Sequence, residues 1–520
     1  MPTYLSPGVY IEEAEAGSRP IEGVGTAVAA FVGLAERGPV NEPTLVSNWG
    51  QFTLRFGEFV ENSYLAHAVY GYFMNGGGNC YVVRVGPGSA NGKAGPDGQR
   101  AKELPAGPQA ALGGYRVQAL DSGSGKTPDV SVEISDPGGD NPPEGSFRLV
   151  VKLGGRPAEE FDRLTTAKGD KQNVVTVVNA QSKTIHIEEA TSSGVLERPQ
   201  KGTVKLAAPK KPAPDKTPIR PDDYVGDVAA RTGFGGLEAV DEVTMVAVPD
   251  LMTAYQQGAI DDEGLKAVQL AVIAHCDLMG DRVAILDSPP NLNAQQIKDW
   301  RVNLAGYDSK FAALYWPWVK VFDPSTGTNV LVPPSGHVAG IWGRNDDTRG
   351  VHKAPANEVV RGAIALQTQI TRNEHDLLNP IGINCLRSFP GRGIRVWGAR
   401  TLCSDPAWRY LNVRRLFNYL EESILNGTQW VVFEPNDDAL WAKIRRTIAA
   451  FLVMEWRKGA LFGLTPDEAF YVRCDRETNP AEAIDAGQVL CEIGVAPVKP
   501  AEFVVFRLSQ LSGGTSLVTE

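Results

Sequence analysis

With 520 residues the chain is too long for one hydrophobic core, and about three or four domains of ~100–200 residues each are expected. Its 42% hydrophobic, 22% charged composition is that of folded globular protein and argues against a disordered chain. A net charge of -10 argues against a general binder of nucleic acid or anionic membrane, because such proteins neutralise phosphate with an excess of Lys and Arg.

The chain opens on a strand-like arm. YLSPGVYIEE has a Pro-Gly break followed by the β-prone Val9, Tyr10 and Ile11, and then passes into a small, polar run ending at Pro20. This start has neither the basic residues nor the apolar stretch of a secretory leader, and residues 24–35 fall short of the ~20 apolar residues that cross a bilayer. Assembly in the cytoplasm without membrane insertion is the expectation. Residues 26–85 then read strand, short helix, amphipathic helix, glycine turn and buried strand, a layer that needs more sheet to cover it.

The missing sheet returns after residue 240. Strands at 243–250, 282–289 and 310–321 alternate with helices at 265–279 and 294–304, and their near-continuous apolar character is that of a sheet covered on both faces. Residues 24–86 and 235–345 are therefore expected to form one discontinuous α/β domain. Between its halves, residues 87–234 carry short alternating strands, VVTVVNA among them, bounded by Gly/Pro-rich tracts, and read as an all-β outer insertion with a Pro-rich linker.

Residues 346–508 are expected to form an α+β domain, ferredoxin-like in plan. The elements read as a helix over EVVRGAIALQ, paired strands over 382–402, two long helices at 411–425 and 437–458, and strands near 469–475, 489–498 and 502–509. The last of these contains Val504, Val505, Phe506, Arg507 and Leu508, and a tail follows over 509–520. With the 1–23 arm, this run gives the chain an extended segment at each end. A lone strand cannot satisfy its own backbone donors and acceptors, so each arm must join its own sheet or complete another's. Polymerisation is the function this implies.

Chemistry is harder to find. SGSGKT at 122–127 ends like a phosphate-binding loop, but Leu120 stands where the first glycine belongs and a strand follows where a helix must receive the phosphate, so it reads as a hairpin loop. GFGG at 233–236 precedes a strand where a dinucleotide fingerprint follows one. Asp250 and Asp287 end parallel-type strands, where enzymes place carboxylates and where helix caps are also common. The six histidines form no ligand pair, and the six cysteines, with no CxxC, read as reduced thiols; no metal or cofactor is expected. In the second long helix Lys443, Arg445, Arg446, Arg457 and Lys458 form a local basic stripe, either a solvated face or a partner surface. The rival readings are an α/β enzyme, a nucleotide-dependent ligase or hydrolase, and a static surface-layer or capsid-like protein.

Several stretches together resemble contractile tail sheath proteins. They are YLSPGVYIEE, VGTAVAAFVGLAERGPVNEPTLVSNWGQFTLRFGE and SYLAHAVYGYFMNGGGNCYVVRV near the start, then HKAPANEVVRGAI, LNPIGINCLRSFPGRGIRVWGARTL, WRYLNVRRLFNYLEESI and NPAEAIDAGQVLCEIGVAPVKPAEFVVFRL. The resemblance implies a structural, non-enzymatic subunit of a sleeve around a rigid inner tube, as in phage tails, tailocins and related injection systems. It also implies a helical homopolymer of hexameric rings that is metastable when extended. Its expected partners are the inner tube protein, a baseplate and a terminal cap. By the same resemblance the arms join a neighbour's C-terminal sheet, and the C-terminal domain, with its basic stripe, lines the tube. The final location is a phage tail-like particle that can be released from the cell.

Purified protein is expected to turn over neither ATP nor GTP, and Lys126→Ala to leave assembly intact. Nucleotide hydrolysis that vanishes in Lys126→Ala would overturn the hairpin reading of that loop.

Overall fold

The computed structural model of the chain describes residues 20–86, 109–112, 115–119, 130–138, 143, 145–167, 172–182, 184–189, 199–206 and 219–507. Val9, Tyr10, Ile11, the 122–127 loop and Leu508 lie outside them. The chain divides into two compact units, one of residues 100–216 and one of 1–99 with 217–520.

In chain order the larger unit begins with β1 (Ala29–Gly33), β2 (Thr44–Val46), α1 (Trp49–Phe56), α2 (Leu65–Met74) and β3 (Cys80–Arg84). The smaller unit holds β4 (Gln109–Leu112), β5 (Tyr115–Ala119), β6 (Val130–Ser135), β7 (Phe147–Leu153), β8 (Arg156–Leu164), α3 (Val174–Gln181), β9 (Ile185–Glu189) and β10 (Gly202–Lys205). Its strands make two antiparallel sheets, ordered β10-β6-β7-β8 and β4-β5-β9. VVTVVNA, expected as a strand, is the helix α3. Asn173 caps it by accepting from the Val175 and Thr176 N–H groups, and Val174 and Val178 are buried. Packing and the cap outweigh the weak β preference of its valines.

The larger unit resumes with α4 (Pro221–Val225), β11 (Met245–Ala247), α5 (Leu251–Gln256), α6 (Asp262–Met279), β12 (Val283–Asp287), α7 (Ala294–Asp299) and β13 (Ala312–Trp316). Next come β14 (Val319–Asp323), β15 (Thr328–Val332), α8 (Ser335–Arg349), β16 (Ala363–Leu366), α9 (Arg372–Leu378), β17 (Ile383–Phe389) and β18 (Gly393–Val396). The expected insertion ran to residue 234, but Ile219, Tyr224 and Phe234 are buried in the core of the larger unit, so the chain rejoins that unit earlier.

One sheet, ordered β18-β17-β13-β12-β11-β1-β3-β2, organises this unit. Its six inner strands run parallel, and antiparallel β18 and β2 close its two sides. Alternate residues feed different cores: Ala30 and Val32 face one, Ala29 and Phe31 the other. This two-sided burial explains the continuous apolar strands. The sheet does not stop at the expected boundary of 345. Leu314 of β13 pairs with Ile383 of β17, whose first four residues are all buried. The paired strands assigned to the C-terminal domain thus belong to the central sheet. EVVRGAIALQ, expected as a helix, is a loop leading into β16, because Gly362 sits at φ +82° and the Val360 N–H is spent on the Ile394 carbonyl beside β18.

The final layer contains α10 (Leu411–Gly427), α11 (Asp438–Arg457), α12 (Pro466–Ala469), β19 (Phe470–Arg473), α13 (Ala481–Asp485) and β20 (Glu492–Val495). Leu416 and Leu420 of α10 meet Leu440, Ile444, Ile448, Phe451 and Leu452 of α11 in its core. Among the described residues its sheet is the antiparallel pair β19-β20, smaller than the ferredoxin-like plan expected, because two of the anticipated strands were β17 and β18.

Helices α2 and α8 meet at glycines. A Cβ on Gly336 would stand 2.3 Å from the Ala68 Cα, and one on Gly340 2.3 Å from the Tyr72 carbonyl oxygen. Alanine in a helix interior normally gains about 1 kcal/mol over glycine. Here it must push two backbones apart, an overpacking that costs about 1–3 kcal/mol or more. Gly336→Ala and Gly340→Ala are therefore expected to lower the urea midpoint. A raised midpoint would mean that the helices are not held this close.

Candidate assembly interface

Both ends of the described chain are fastened to α10. At the N-terminal root, Ile21 is buried against Gly427, and the Val24 N–H donates to Ser423 Oγ at 3.1 Å. The Thr26 carbonyl accepts from Arg415 Nη2 at 3.0 Å, and Thr26 Oγ1 donates to Asp346 Oδ2 at 2.7 Å. Arg415 and Asp346, each almost fully buried, pair with each other through two nitrogens and two oxygens, 2.9 and 2.5 Å apart. The Arg415 guanidinium also lies over the Trp342 ring, 4.7 Å from its centroid. The first arm thus departs from a point locked to α10 and α8.

The second root sits at the other end of α10. After β20, the Ala496 and Val498 N–H groups donate to the Ala469 and Ala460 carbonyls, and Asn412 Nδ2 donates to the Val498 carbonyl at 3.0 Å. Four donors then converge on Glu502: Arg400 Nε at 2.9 Å and Nη2 at 2.6 Å, Asn379 Nδ2 at 2.8 Å, and the Tyr410 hydroxyl at 3.2 Å. Burial pushes this carboxyl up, but the Arg400 and Asn379 bonds outweigh it and hold it below its ordinary range.

Beyond Glu502 the fastening ends. Phe503, Val504, Val505 and Phe506 are 74, 67, 78 and 85% exposed, and Arg507 is also exposed. Among the described residues, 503–507 form no strand and make no backbone hydrogen bond. Four consecutive apolar side chains thus stand in solvent, with no backbone partner among the described residues, a run that the described fold does not satisfy. Nothing in residue spacing pointed to Arg400, Asn379 and Tyr410 as the clamp; the available signal was a single acidic residue immediately before an apolar run.

The five basic residues of α11 do not form one surface. Lys443 is half-buried with Nζ 4.2 Å from the Trp430 ring centroid, and Arg445 is half-buried, donating to the Cys474 carbonyl. Lys458 pairs with Glu455 at 2.7 Å. Arg446 and Arg457 are exposed, and eleven residues, about three turns, set them on one face of the helix.

The strand-end carboxylates are committed to helices. Asp250 accepts from the Leu34, Tyr64 and Leu65 N–H groups and from Ser63 Oγ, so it seats the start of α2; burial pushes it up to about 6 against those bonds. Asp287 accepts from the Ser335 N–H at 2.9 Å at the start of α8, and burial pushes it up to about 7. A cleft of about 420 Å³ beside the first root is lined by Asp241, Glu242, Asp281 and Glu422, with Arg415 already spent on Asp346. Among the described residues no group of three or more His, Cys, Asp or Glu could hold a metal ion, and no helix is long and apolar enough to cross a membrane.

Comparison with known proteins bears on the whole chain. Residues 222–402 match the family described as phage tail sheath protein central domain, and residues 403–510 the phage tail sheath C-terminal domain. The tail sheath protein of Burkholderia phage BcepMu is 24% identical over 96% of this chain and 95% of its own length. That of Vibrio phage KVP40 is 29% identical over 36% of this chain, an alignment spanning 27% of the phage protein. Among solved structures, the sheath complex of the extracellular contractile injection system PVC, in its contracted state, shares the fold with a TM-score of 0.58 at 22% identity, covering 98% of this chain and 99% of that one. The join between the two family matches falls just after the last strands of the central sheet and before α10, where the fold passes from its sheet layer to its helical layer. With two adjoining sheath domains matched over more than half its length, the chain belongs to the phage tail sheath family.

Proposed function

We propose that this chain is the structural subunit of a contractile sheath that polymerises helically around an inner tube, in hexameric rings, and shortens to drive the tube through a target envelope. The observation that carries this reading is the exposed, unpaired run after Glu502. It is supported by β19 and β20, which among the described strands pair only with each other and so leave outer edges open to an added strand. Val504, Val505, Phe506, Arg507 and Leu508 from one end, and Val9, Tyr10 and Ile11 from the other, are the strands that would complete such sheets in neighbours. A strand added in this way links subunits through backbone bonds while their bodies change spacing.

The work of contraction then comes from two packings of the same subunits that differ in free energy, with no catalytic step. Asp250 and Asp287 support a non-enzymatic reading, since their acceptor positions serve helix starts. Arg446 and Arg457 are the residues we assign to the tube-facing surface, in place of the whole stripe. The remaining partners of such a sheath are a baseplate and a terminal cap, with assembly in the cytoplasm and release in a phage tail-like particle.

Three variants test these assignments. Val505→Pro, which removes a ladder donor, is expected to give a folded monomer by circular dichroism and size exclusion and no striated tubes by negative-stain microscopy. Tubes of normal length and contractility would remove the arm from the mechanism; discrete particles or flat lattices from the unmodified protein would favour the enzyme or surface-layer readings instead.

Glu502→Ala leaves Arg400 buried without its carboxylate, a loss of about 3 kcal/mol. It is expected to speed amide exchange over 496–502. Because the Glu502 carboxyl is held low in the folded chain, the clamp contributes fully above the ordinary carboxylate range and weakens as pH falls through it. Unmodified protein should therefore lose protection over 496–502 in acid, measured against the intrinsic exchange rate at each pH, and protection independent of both changes would dissolve the clamp.

Reversing Arg446 and Arg457 to Glu should impair co-assembly with the tube most strongly at low salt. Unchanged co-assembly across a salt series would withdraw that surface.

A further inference from the structure

We propose that Cys474 and Cys491 form a reversible intrachain disulfide that staples the base of the 475–490 loop when the protein meets an oxidising medium. β19 and β20 run antiparallel with Arg473 opposite Glu492, the last pair of their ladder, and Cys474 and Cys491 are the residues immediately beyond it, so the same register continued by one residue brings them face to face. Facing residues of an antiparallel pair have Cα atoms about 4.5–5.5 Å apart, within the ~4.4–6.8 Å that a disulfide requires. The two thiols are close enough to perturb each other's ionisation. Asn479, buried at the loop base, prevents the two ends from parting. Its Nδ2 donates to the Leu490 carbonyl at 3.0 Å and reaches the Cys474 sulfur at 3.8 Å, while its Oδ1 accepts from the Leu490 N–H at 2.6 Å.

The two thiols differ in access. Cys474 is fully buried and Cys491 only partly so. With a small disulfide such as oxidised glutathione as oxidant, the Cys491 thiolate attacks one sulfur and expels one glutathione thiol. The Cys474 thiolate then attacks the Cys491 sulfur of the mixed disulfide and expels the second. Two protein thiols are oxidised to one disulfide, one small disulfide is reduced to two thiols, and the two protons leave with them. Burial pushes both thiols up, Cys491 to about 12, with the Arg445 charge opposing. Thiolate is therefore scarce at neutral pH, and the pair closes slowly instead of trapping stray oxidant. The staple depends only on the loop base, whatever occupies the outer edges of the two strands.

The full chain, purified under dithiothreitol and transferred to oxidised glutathione, is expected to lose two of its six free thiols. Peptide mapping under non-reducing conditions should find Cys474 joined to Cys491, and dithiothreitol should reverse the link. Closure should run about tenfold faster per pH unit as the thiolate fraction grows. Cys491→Ser, chosen because that side chain is the less buried of the two, should leave every remaining thiol free. Six free thiols after prolonged oxidation of the native protein, a link between any other pair, or a stable glutathione adduct on Cys491 alone would overturn the proposal.

Discussion

A single helix sets the separation of the two arms. Ile21 and Val24 are fastened near the C-terminal end of α10, while the Glu502 clamp and Asn412 sit at its N-terminal end. Seventeen residues of helix span about 25 Å, so the two departure points form a rigid pair. The buried Arg415–Asp346 pair joins α10 to α8, and α8 lies against α2 at glycine distance over the central sheet. Both roots, residues 21–26 and 496–502, are therefore joined through α10 to the whole α/β body.

The chemistry of the charged groups follows from that mechanical arrangement. Removing Arg415 and Asp346 from water is expensive, and an apolar pair of similar volume could stabilise the fold as well or better. What the ion pair adds is a fixed register between α10 and α8, through two short contacts and a guanidinium stacked on Trp342. Asp250 and Asp287 occupy the positions where an α/β enzyme would hold a reactive carboxylate, yet each is committed to donors at a helix start. The same topological positions that elsewhere serve a substrate here align α2 with α8.

The elements most legible in the sequence are those whose pattern is set by burial on the spot. The strands at 29–33, 80–84, 283–287 and 312–316 are continuous apolar runs because both faces are covered, and α10 and α11 show one apolar stripe each. α8 was invisible because Gly336, Gly340 and Gly343 make a poor helix in isolation; its reason for existing is the close backbone of α2, which no local pattern reveals. α3 misled for the opposite reason, its valines reading as strand until Asn173 and the surrounding core impose a helix. The domain boundary at 345 was misplaced because β17 joins β13 across a long separation in sequence. In the interface, the apolar run 503–506 could be read directly. The clamp on Glu502 gathers residues from 379, 400 and 410, a convergence that only the folded chain displays. The basic stripe read as one surface because charge was visible and the acceptors, the Trp430 ring and the Cys474 carbonyl, were not.

The closing of the central sheet has a consequence for crowding. Long open strand edges are templates for indiscriminate pairing between copies. At one side of this sheet the backbone of β18 is already spent on Asn357, Glu358 and Val360. At the other, the outermost strand β2 is only three residues long. Bodies held at close quarters therefore present no extended edge through which one central sheet could grow into the next. A sheet closed in this way lets many identical β-containing bodies pack closely without drifting toward a fibril.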